Sequence, residues 1–280
     1  MGKRFILRKQ LWKGGKQLTT LISGQSGFIG KNLTERLEAL GHRVIGIPRI
    51  LLNHWYELSK FMEKHNPNFI FHLASYGNHS TQQDEEEIIN TNILGTFNML
   101  TASKNIKYKK FINFSTSSVL LPYETFYSAS KAAGERIVKA FVYKYDKPIL
   151  TIRPYSIYGK GEADFRFIPT VIKSLLGKNL MRLDPLARHD WVYIEDFITS
   201  LLSFIETEVG IINMGTGKST SNMDIVKLLE RISNKTLKYE VGRLREFDIS
   251  KWVSPEASIT SDLEKGLMKT YEYYKQRFKA

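Results

Sequence analysis

Short apolar runs alternate with amphipathic stretches through the first half of the chain. Residues 18–23, 43–47, 69–73, 110–114 and 149–152 are too short for helices and rich in Ile, Leu, Val and Phe, which predicts buried strands. Between them, 29–40, 54–65, 85–105 and 127–145 carry apolar residues at helical spacing and predict helices. Alternation of this kind predicts an α/β fold, a parallel sheet covered on both faces, with ligands beyond the carboxyl ends of the strands. The second half is more mixed, with helices predicted near 168–176, 194–207, 222–233 and 262–277. No Gly/Ser-rich linker, fixed-period repeat or long low-complexity tract interrupts the chain, so one compact unit is expected.

Chemistry enters at two places. The first strand leads into Gly24-Gln25-Ser26-Gly27-Phe28-Ile29-Gly30, and a helical pattern follows. A glycine turn between strand and helix suits a dinucleotide: the backbone can approach the pyrophosphate, and the helix N-terminus favours its charge. The second place is Tyr127-Ser-Ala-Ser-Lys131, where a phenol and an ammonium share one helix face. A free phenol ionises near pH ~10, and a neighbouring ammonium favours the phenolate. The pair therefore suits proton transfer to and from a substrate hydroxyl near neutrality.

Together these residues resemble the extended short-chain dehydrogenase/reductase family, whose members remodel nucleotide-sugars. The likeness runs over roughly residues 18 to 275. It also includes Phe71-His-Leu-Ala-Ser75, Asn90-Thr-Asn-Ile-Leu-Gly-Thr96, Arg153-Pro-Tyr-Ser-Ile-Tyr-Gly159, Phe167-Ile-Pro169, Asp190-Trp-Val-Tyr-Ile-Glu-Asp196 and Asn213-Met-Gly-Thr-Gly217, in the family's order. It implies a Rossmann-type domain over 18–155 and a smaller substrate-binding lobe, mainly 156–280, with some segments returning to the first domain. Residues 1–17 stand apart as a basic extension.

The resemblance assigns roles by position. Thr116, three residues before Val119, would hydrogen-bond the sugar oxygen and steer it toward Tyr127, with Lys131 completing the catalytic set; Ser117 is the neighbouring candidate. The cofactor set would be Gly24, Ser26, Gly27, Phe28, Ile29, Gly30, Arg49, Leu73, Ala74, Ser75, Asn92 and Tyr155, together with Tyr127 and Lys131. Within it, Asn92 is expected to tie backbone groups between strand and helix, and His72 is expected to be structural. Phe167, Arg243 and Arg245 fall where relatives hold the base or diphosphate of a nucleotide-diphosphate sugar, and Arg188 is the substrate-side stand-in for the arginine that usually precedes Asp190.

Departures from the family pattern sharpen the reading. NAD-preferring dinucleotide folds place an acid after the second strand. Here Pro48-Arg49 follows it and no acid comes before Glu57, so the sequence leans to NADP over NAD. Family dehydratases carry Asp-Glu directly after the Thr, where this chain has Ser117 and Ser118. Without an acid and a base there, elimination of water from the sugar is not expected. Tyr127 lies only 11 residues after Thr116, a short interval that, with Arg49, is similar to the NADPH-consuming reductases that finish CDP-dideoxyhexoses. His189-Asp190 replaces the usual Arg-Asp, leaving Arg188 as the nearby cation. The expected activity is epimerisation at C4 through a keto intermediate. The alternatives are a one-way NADPH-dependent 4-keto reductase and a non-catalytic NADP-binding sensor, the last disfavoured by the intact Thr116, Tyr127 and Lys131.

Composition sets outer limits. The chain of 280 residues has no Cys, which removes disulfide and thiolate chemistry and suits a reducing compartment. No apolar run approaches the ~20 residues of a membrane span. A cytoplasmic homodimer is expected. Lys and Arg number 41 against 28 acids, for a net charge of +13. Lys3, Arg4, Arg8, Lys9, Lys13 and Lys16 fall in the first 17 residues, with no acid before Glu35. That segment reads as a solvated leader or the product of an upstream start codon; a presequence and an anionic-surface contact are its other readings. No nucleic-acid motif accompanies the charge, so no nucleic-acid partner is expected. The His spacings and Asp84-Glu-Glu-Glu87 suggest no metal site; the acids suit an exposed first helical turn.

Overall fold

The computed structural model describes residues 16–79, 81–122, 124–207, 209–242, 253–255 and 257–278. Along the first half it has strands β1 (Thr19–Ser23), β2 (Arg43–Ile47), β3 (Phe69–His72), β4 (Lys110–Phe114) and β5 (Ile149–Pro154). Its helices there are α1 (Phe28–Ala39), α2 (Trp55–His65), α3 (Glu85–Ile89), α4 (Gly95–Ser103) and α5 (Phe126–Tyr145). The second half has β6 (Ser156–Tyr158), α6 (Phe167–Gly177), β7 (Met181–Leu183), β8 (Arg188–His189), β9 (Trp191–Tyr193) and α7 (Ile194–Thr207). It ends with β10 (Gly210–Met214), β11 (Thr220–Ser221), α8 (Asn222–Ser233), β12 (Tyr239–Val241) and α9 (Leu263–Arg277).

The main sheet runs β10-β5-β4-β3-β1-β2. The pairs β1–β2, β1–β3 and β3–β4 are parallel, as the alternating pattern requires. The chain winds outward from β1 in both directions, to β2 on one side and to β3 on the other. That reversal creates a switch point between the carboxyl ends of β1 and β3, where open α/β sheets bind ligands.

Contacts divide the chain into two compact units. The first takes the described residues up to Phe114 together with Ala129–Thr151 and Leu201–Gly210; the second takes Ser115–Ser128, Ile152–Ser200 and the described residues from Ile211 onward. In the first, Leu21, Ile70, Phe111 and Ile149 pack with Leu58, Met62, Met99, Leu100 and Val138 of α2, α4 and α5. The residues next in each strand, Ile22, Phe71, Ile112 and Leu150, point to the opposite face by strand alternation and are also fully buried. Both faces of the sheet are therefore covered, which explains why its strands read as continuous apolar runs.

In the second unit α6, α8 and α9 pack together. Beside them stand the small pairs β6–β9 and β7–β12, both parallel, and β8–β11, antiparallel. Tyr158 is fully buried and donates its hydroxyl to the Leu263 carbonyl (3.1 Å). Gly266 permits this approach of α9: a Cβ there would stand 2.3 Å from the Tyr158 hydroxyl oxygen. Tyr274 donates to the Glu162 carbonyl and fastens the same helix further along.

Two expectations are corrected. The helix expected over 85–105 is interrupted, because Asn90–Leu94 forms a π turn between α3 and α4. Such a turn widens the helix by one residue and commonly marks a functional position. The second half also holds strands that periodicity did not predict. Most are two or three residues long, shorter than any alternation can reveal; β10 reaches five and joins the main sheet.

Candidate active site

The glycine turn has the geometry of a phosphate cradle. Gly24 adopts φ +74°, open to glycine at little cost, and a Cβ there would stand 2.8 Å from the Ala74 nitrogen. The turn thus fits against the loop after β3 at the switch point. A Cβ on Gly30 would come within 2.3 Å of the Gly24 carbonyl oxygen, so only glycine lets α1 start this close to the turn. Gly27 caps α1, and the first turn of that helix carries no acid. Phe28, Ile29 and Gly30 supply first-turn N–H groups of the kind that helix geometry leaves without internal partners. The arrangement fits a dinucleotide pyrophosphate; Ser26 is exposed beside it, and Leu73 and Ala74 are half-buried after β3 with Ser75 exposed.

A buried polar chain braces this edge. Ser23 Oγ lies 2.7 Å from His72 Nδ1, and His72 Nε2 lies 3.1 Å from Thr96 Oγ1. Thr96 in turn donates to the Asn92 carbonyl (2.7 Å). Burial, with help from the Lys131 charge, lowers the His72 pKa to about 3, so the imidazole is neutral throughout the useful pH range. This is the structural His expected from sequence. Asn92 accepts from the Tyr76 N–H (3.0 Å) and donates to the Tyr76 carbonyl (2.8 Å) and Ser130 Oγ (2.9 Å). Its side chain ties the loop after β3 to α5, and those three bonds leave it committed to protein groups.

Helix α5 carries Tyr127 and Lys131 one turn apart. Its start is fixed by Thr125, which accepts from the Ser128 N–H (3.1 Å), while Ser128 Oγ accepts from the Thr125 N–H (2.8 Å). Tyr127 is half-buried. Lys131 is buried, and desolvation lowers its pKa from 10.5 to about 8, against the opposing influence of Glu135 one turn on. Burial of the ammonium therefore costs about 3 kcal/mol at neutral pH. Between about 8 and the free-lysine range the unfolded chain binds the extra proton, so this contribution to stability rises with pH across that window and the penalty is full below it. An amine held against its own solvation in this way is characteristic of functional sites.

Thr116 is buried at the end of the segment after β4. Its hydroxyl accepts from the Ser118 N–H (3.2 Å) and donates to Ser118 Oγ (3.1 Å), capping the turn Ser117–Leu120. Ser117 is buried and Ser118 half-buried. No carboxylate occupies either position.

Arg49 opens the short helical turn Arg49–Asn53 directly after β2. It pairs with Glu87 of α3, a partner that sequence spacing did not reveal because the two are 38 residues apart. In the second unit Tyr155 is buried, and its phenol is raised by that burial and by the Asp190 charge. Phe167 stacks on Trp191, ring centres 5.9 Å apart. The Arg188 guanidinium is already bound to Ser219, through its hydroxyl (2.7 Å) and its carbonyl (2.8 Å). His189 is buried with Nδ1 3.2 Å from Ser156 Oγ. Asp190 is fully buried and accepts the N–H and hydroxyl of Thr216, the Gly217 N–H and the Ser254 N–H, which makes it the organising residue of this segment. Arg243, Arg245 and the basic extension through residue 15 lie outside the described residues. Among the described residues no group of three or more His, Cys, Asp or Glu could hold a metal ion, and no helix is long and apolar enough to cross a membrane.

A doubly wound sheet, a glycine cradle at its switch point and a Tyr–Lys turn define a dinucleotide-binding protein of the Rossmann type. The comparison with known proteins gives its family: the NAD dependent epimerase/dehydratase model matches residues 20–215, and the chain belongs to that family, within the extended short-chain dehydrogenases/reductases. A dTDP-D-glucose 4,6-dehydratase of Dictyostelium discoideum is 29% identical over 207 residues, covering 63% of this chain; the chain spans 47% of that relative's length. A UDP-glucuronate 4-epimerase of Thermodesulfobacterium geofontis is 25% identical over 315 residues, covering 91% of this chain and 96% of the relative. The crystal structure of UDP-glucuronic acid 4-epimerase from Bacillus cereus in complex with NAD is similar in fold, with a TM-score of 0.76 and 26% identity, covering 94% of this chain and 98% of that one.

Proposed function

We propose that the protein is an NAD(P)-dependent epimerase that inverts C4 of a nucleotide-diphosphate sugar through a 4-keto intermediate. The observation that carries the reading is Tyr127 one helical turn from a buried Lys131 whose pKa falls to about 8. Tyr127 takes the proton of the C4 hydroxyl and returns it after the sugar has turned, with Lys131 favouring the phenolate between these steps. Thr116 exchanges its bond to Ser118 for one to the sugar oxygen and orients it. The bound dinucleotide supplies the acceptor, and then the donor, of the C4 hydride. Gly24, Ser26, Gly27, Phe28, Ile29 and Gly30 hold its phosphates, with Leu73, Ala74, Ser75 and Tyr155 lining the rest. Ser117, Phe167 and Arg188 face the substrate in this reading, Arg188 on leaving Ser219. The 4-epimerase relatives support a UDP-linked hexuronic acid as the substrate. A cytoplasmic homodimer belongs to the same reading.

Ser117 and Ser118 support epimerisation over dehydration. Removing water requires one group to take the C5 proton and another to protonate the departing C6 hydroxyl, and serine does neither well near neutrality. Incubation with UDP- and dTDP-hexoses and UDP-hexuronic acids is expected to give a C4 epimer of unchanged mass, resolved by chromatography. A product lighter by one water, formed at a catalytic rate, would sink the reading. The 11-residue interval from Thr116 to Tyr127 favours a second reading, a one-way 4-keto reductase. That enzyme would oxidise one reduced dinucleotide per product, whereas epimerisation leaves the dinucleotide pool unchanged.

The Lys131 pKa sets the alkaline limit. In the free enzyme the ammonium is present below about 8 and lost above it, so kcat/KM is expected to fall as pH rises through that value. Lys131→Arg, whose guanidinium stays charged, should move this limb upward by at least about one pH unit in whatever activity remains. An unchanged limb would assign it to another group.

A further inference from the structure

The charge after β2 has an owner. Ile47 pairs with Ser23 at the carboxyl ends of β2 and β1, so Pro48 and Arg49 leave the sheet at the same edge as the glycine turn. An arginine at this place can meet a 2′-phosphate, and an acid can meet the ribose hydroxyls. This chain has both, from different elements. The Arg49 guanidinium bonds Glu87 Oε1, and Thr91 donates to the same oxygen (2.9 Å), holding the carboxylate in place. The Tyr76 ring lies 6.0 Å from the guanidinium carbon. The Arg49 side chain is nonetheless 70% exposed, so a ligand can reach it.

We propose that Glu87 is a specificity-determining residue for the dinucleotide: by pairing with Arg49 it offsets the charge at the carboxyl end of β2 and keeps that place open to NAD. The inference rests on the reading of the glycine turn as a dinucleotide site. A 2′-phosphate carries up to two negative charges and needs donors that are free. Here the guanidinium is engaged, and the carboxylate beside it repels the phosphate. NADP must therefore break the ion pair on entry, whereas the 2′-hydroxyl of NAD leaves it intact. Glu87→Gln removes the charge and keeps the amide oxygen for Thr91, so Arg49 becomes available to phosphate. The preference is thus set by the carboxylate on α3 that faces Arg49.

The test reads occupancy. Full-length protein is equilibrated with equimolar NAD and NADP and freed of excess nucleotide. It is then denatured, and the released dinucleotides are quantified by mass spectrometry. Wild-type protein is expected to release mainly NAD. Glu87→Gln should raise the NADP-to-NAD ratio at least about fivefold, the factor that corresponds to an exposed ion pair of ~1 kcal/mol. Arg49→Gln added to Glu87→Gln should return the ratio to within about twofold of wild type. An unchanged ratio in Glu87→Gln, or a rise that survives loss of Arg49, would overturn the proposal while leaving the dinucleotide site standing. Wild-type protein that retains neither nucleotide would overturn the site reading and the proposal with it.

Discussion

Tyr127→Phe is expected to lower turnover by at least about 10², the low end for losing a positioned acid–base group. The substitution removes one oxygen from a half-buried ring at the start of α5 and leaves the ring's volume in place. The helix start should persist, because Thr125 and Ser128 cap it without using residue 127. Lys131 should stay buried, since the phenylalanine ring keeps the volume of the tyrosine ring one turn away. What disappears is the hydroxyl that takes a proton from the sugar and hands it back; a lysine with a pKa near 8 can hold a phenolate but stands one turn away from residue 127. Dinucleotide retention should therefore match wild type, and the unfolding midpoint should move by no more than a few degrees. The comparison needs both readings. Lost turnover with lost dinucleotide would indicate damage to the fold, and near-normal turnover in a folded, loaded variant would remove Tyr127 from the chemistry.

The first unit was legible because its physics is local. Five apolar runs became β1 to β5, with bounds shifted by no more than two residues, and the helices between them followed from 3.6-residue periodicity. Gly24 and Gly30 could be read because a turn that needs a positive φ and a helix that starts against a carbonyl both exclude side chains. Tyr127 and Lys131 could be read because four residues make one helical turn. What stayed hidden depends on residues distant in sequence. Glu87 reaches Arg49 across 38 positions, and nothing in an exposed acidic first turn distinguishes it from Glu85 or Glu86. The lean toward NADP rests on Arg49, and the sequence shows that side chain without its partner. The π turn at Asn90–Leu94 was hidden for the opposite reason: a helical pattern with one extra residue still reads as helix. In the second unit, strands of two or three residues carry no period at all, and the donors that Asp190 collects from separate segments are equally distant in sequence.

Asp190→Asn should be the most damaging single-atom exchange in the second unit. One carboxylate oxygen accepts the Thr216 N–H (2.8 Å) and the Thr216 hydroxyl (2.6 Å); the other accepts the Gly217 N–H (2.9 Å) and the Ser254 N–H (3.0 Å). The side chain is fully buried, and Gly215 lies so close that a Cβ there would come within 2.6 Å of the second oxygen. An amide keeps the shape but turns one acceptor into a donor. Turned toward Gly217 and Ser254 its NH₂ faces two N–H donors; turned toward Thr216 it faces one N–H and a hydroxyl that can rotate to accept, so at least one hydrogen bond to a charged group is lost. At ~1.5–3 kcal/mol for each bond lost, the expected cost is about 1.5–6 kcal/mol. That is a sizeable share of the ~5–15 kcal/mol that separates folded from unfolded protein, so the unfolding midpoint should fall by several degrees, about 2–4 °C for each kcal/mol. Faster hydrogen exchange should appear first at the amides of Thr216, Gly217 and Ser254. A role for Asp190 in contacting substrate predicts a different pattern, a raised KM in a protein of wild-type thermal stability. The bonding geometry favours the structural outcome: four donors already surround the carboxylate, so it has little capacity left for a ligand. An Asp190→Asn variant that melts with the wild type would show that these four bonds do not hold the segment together.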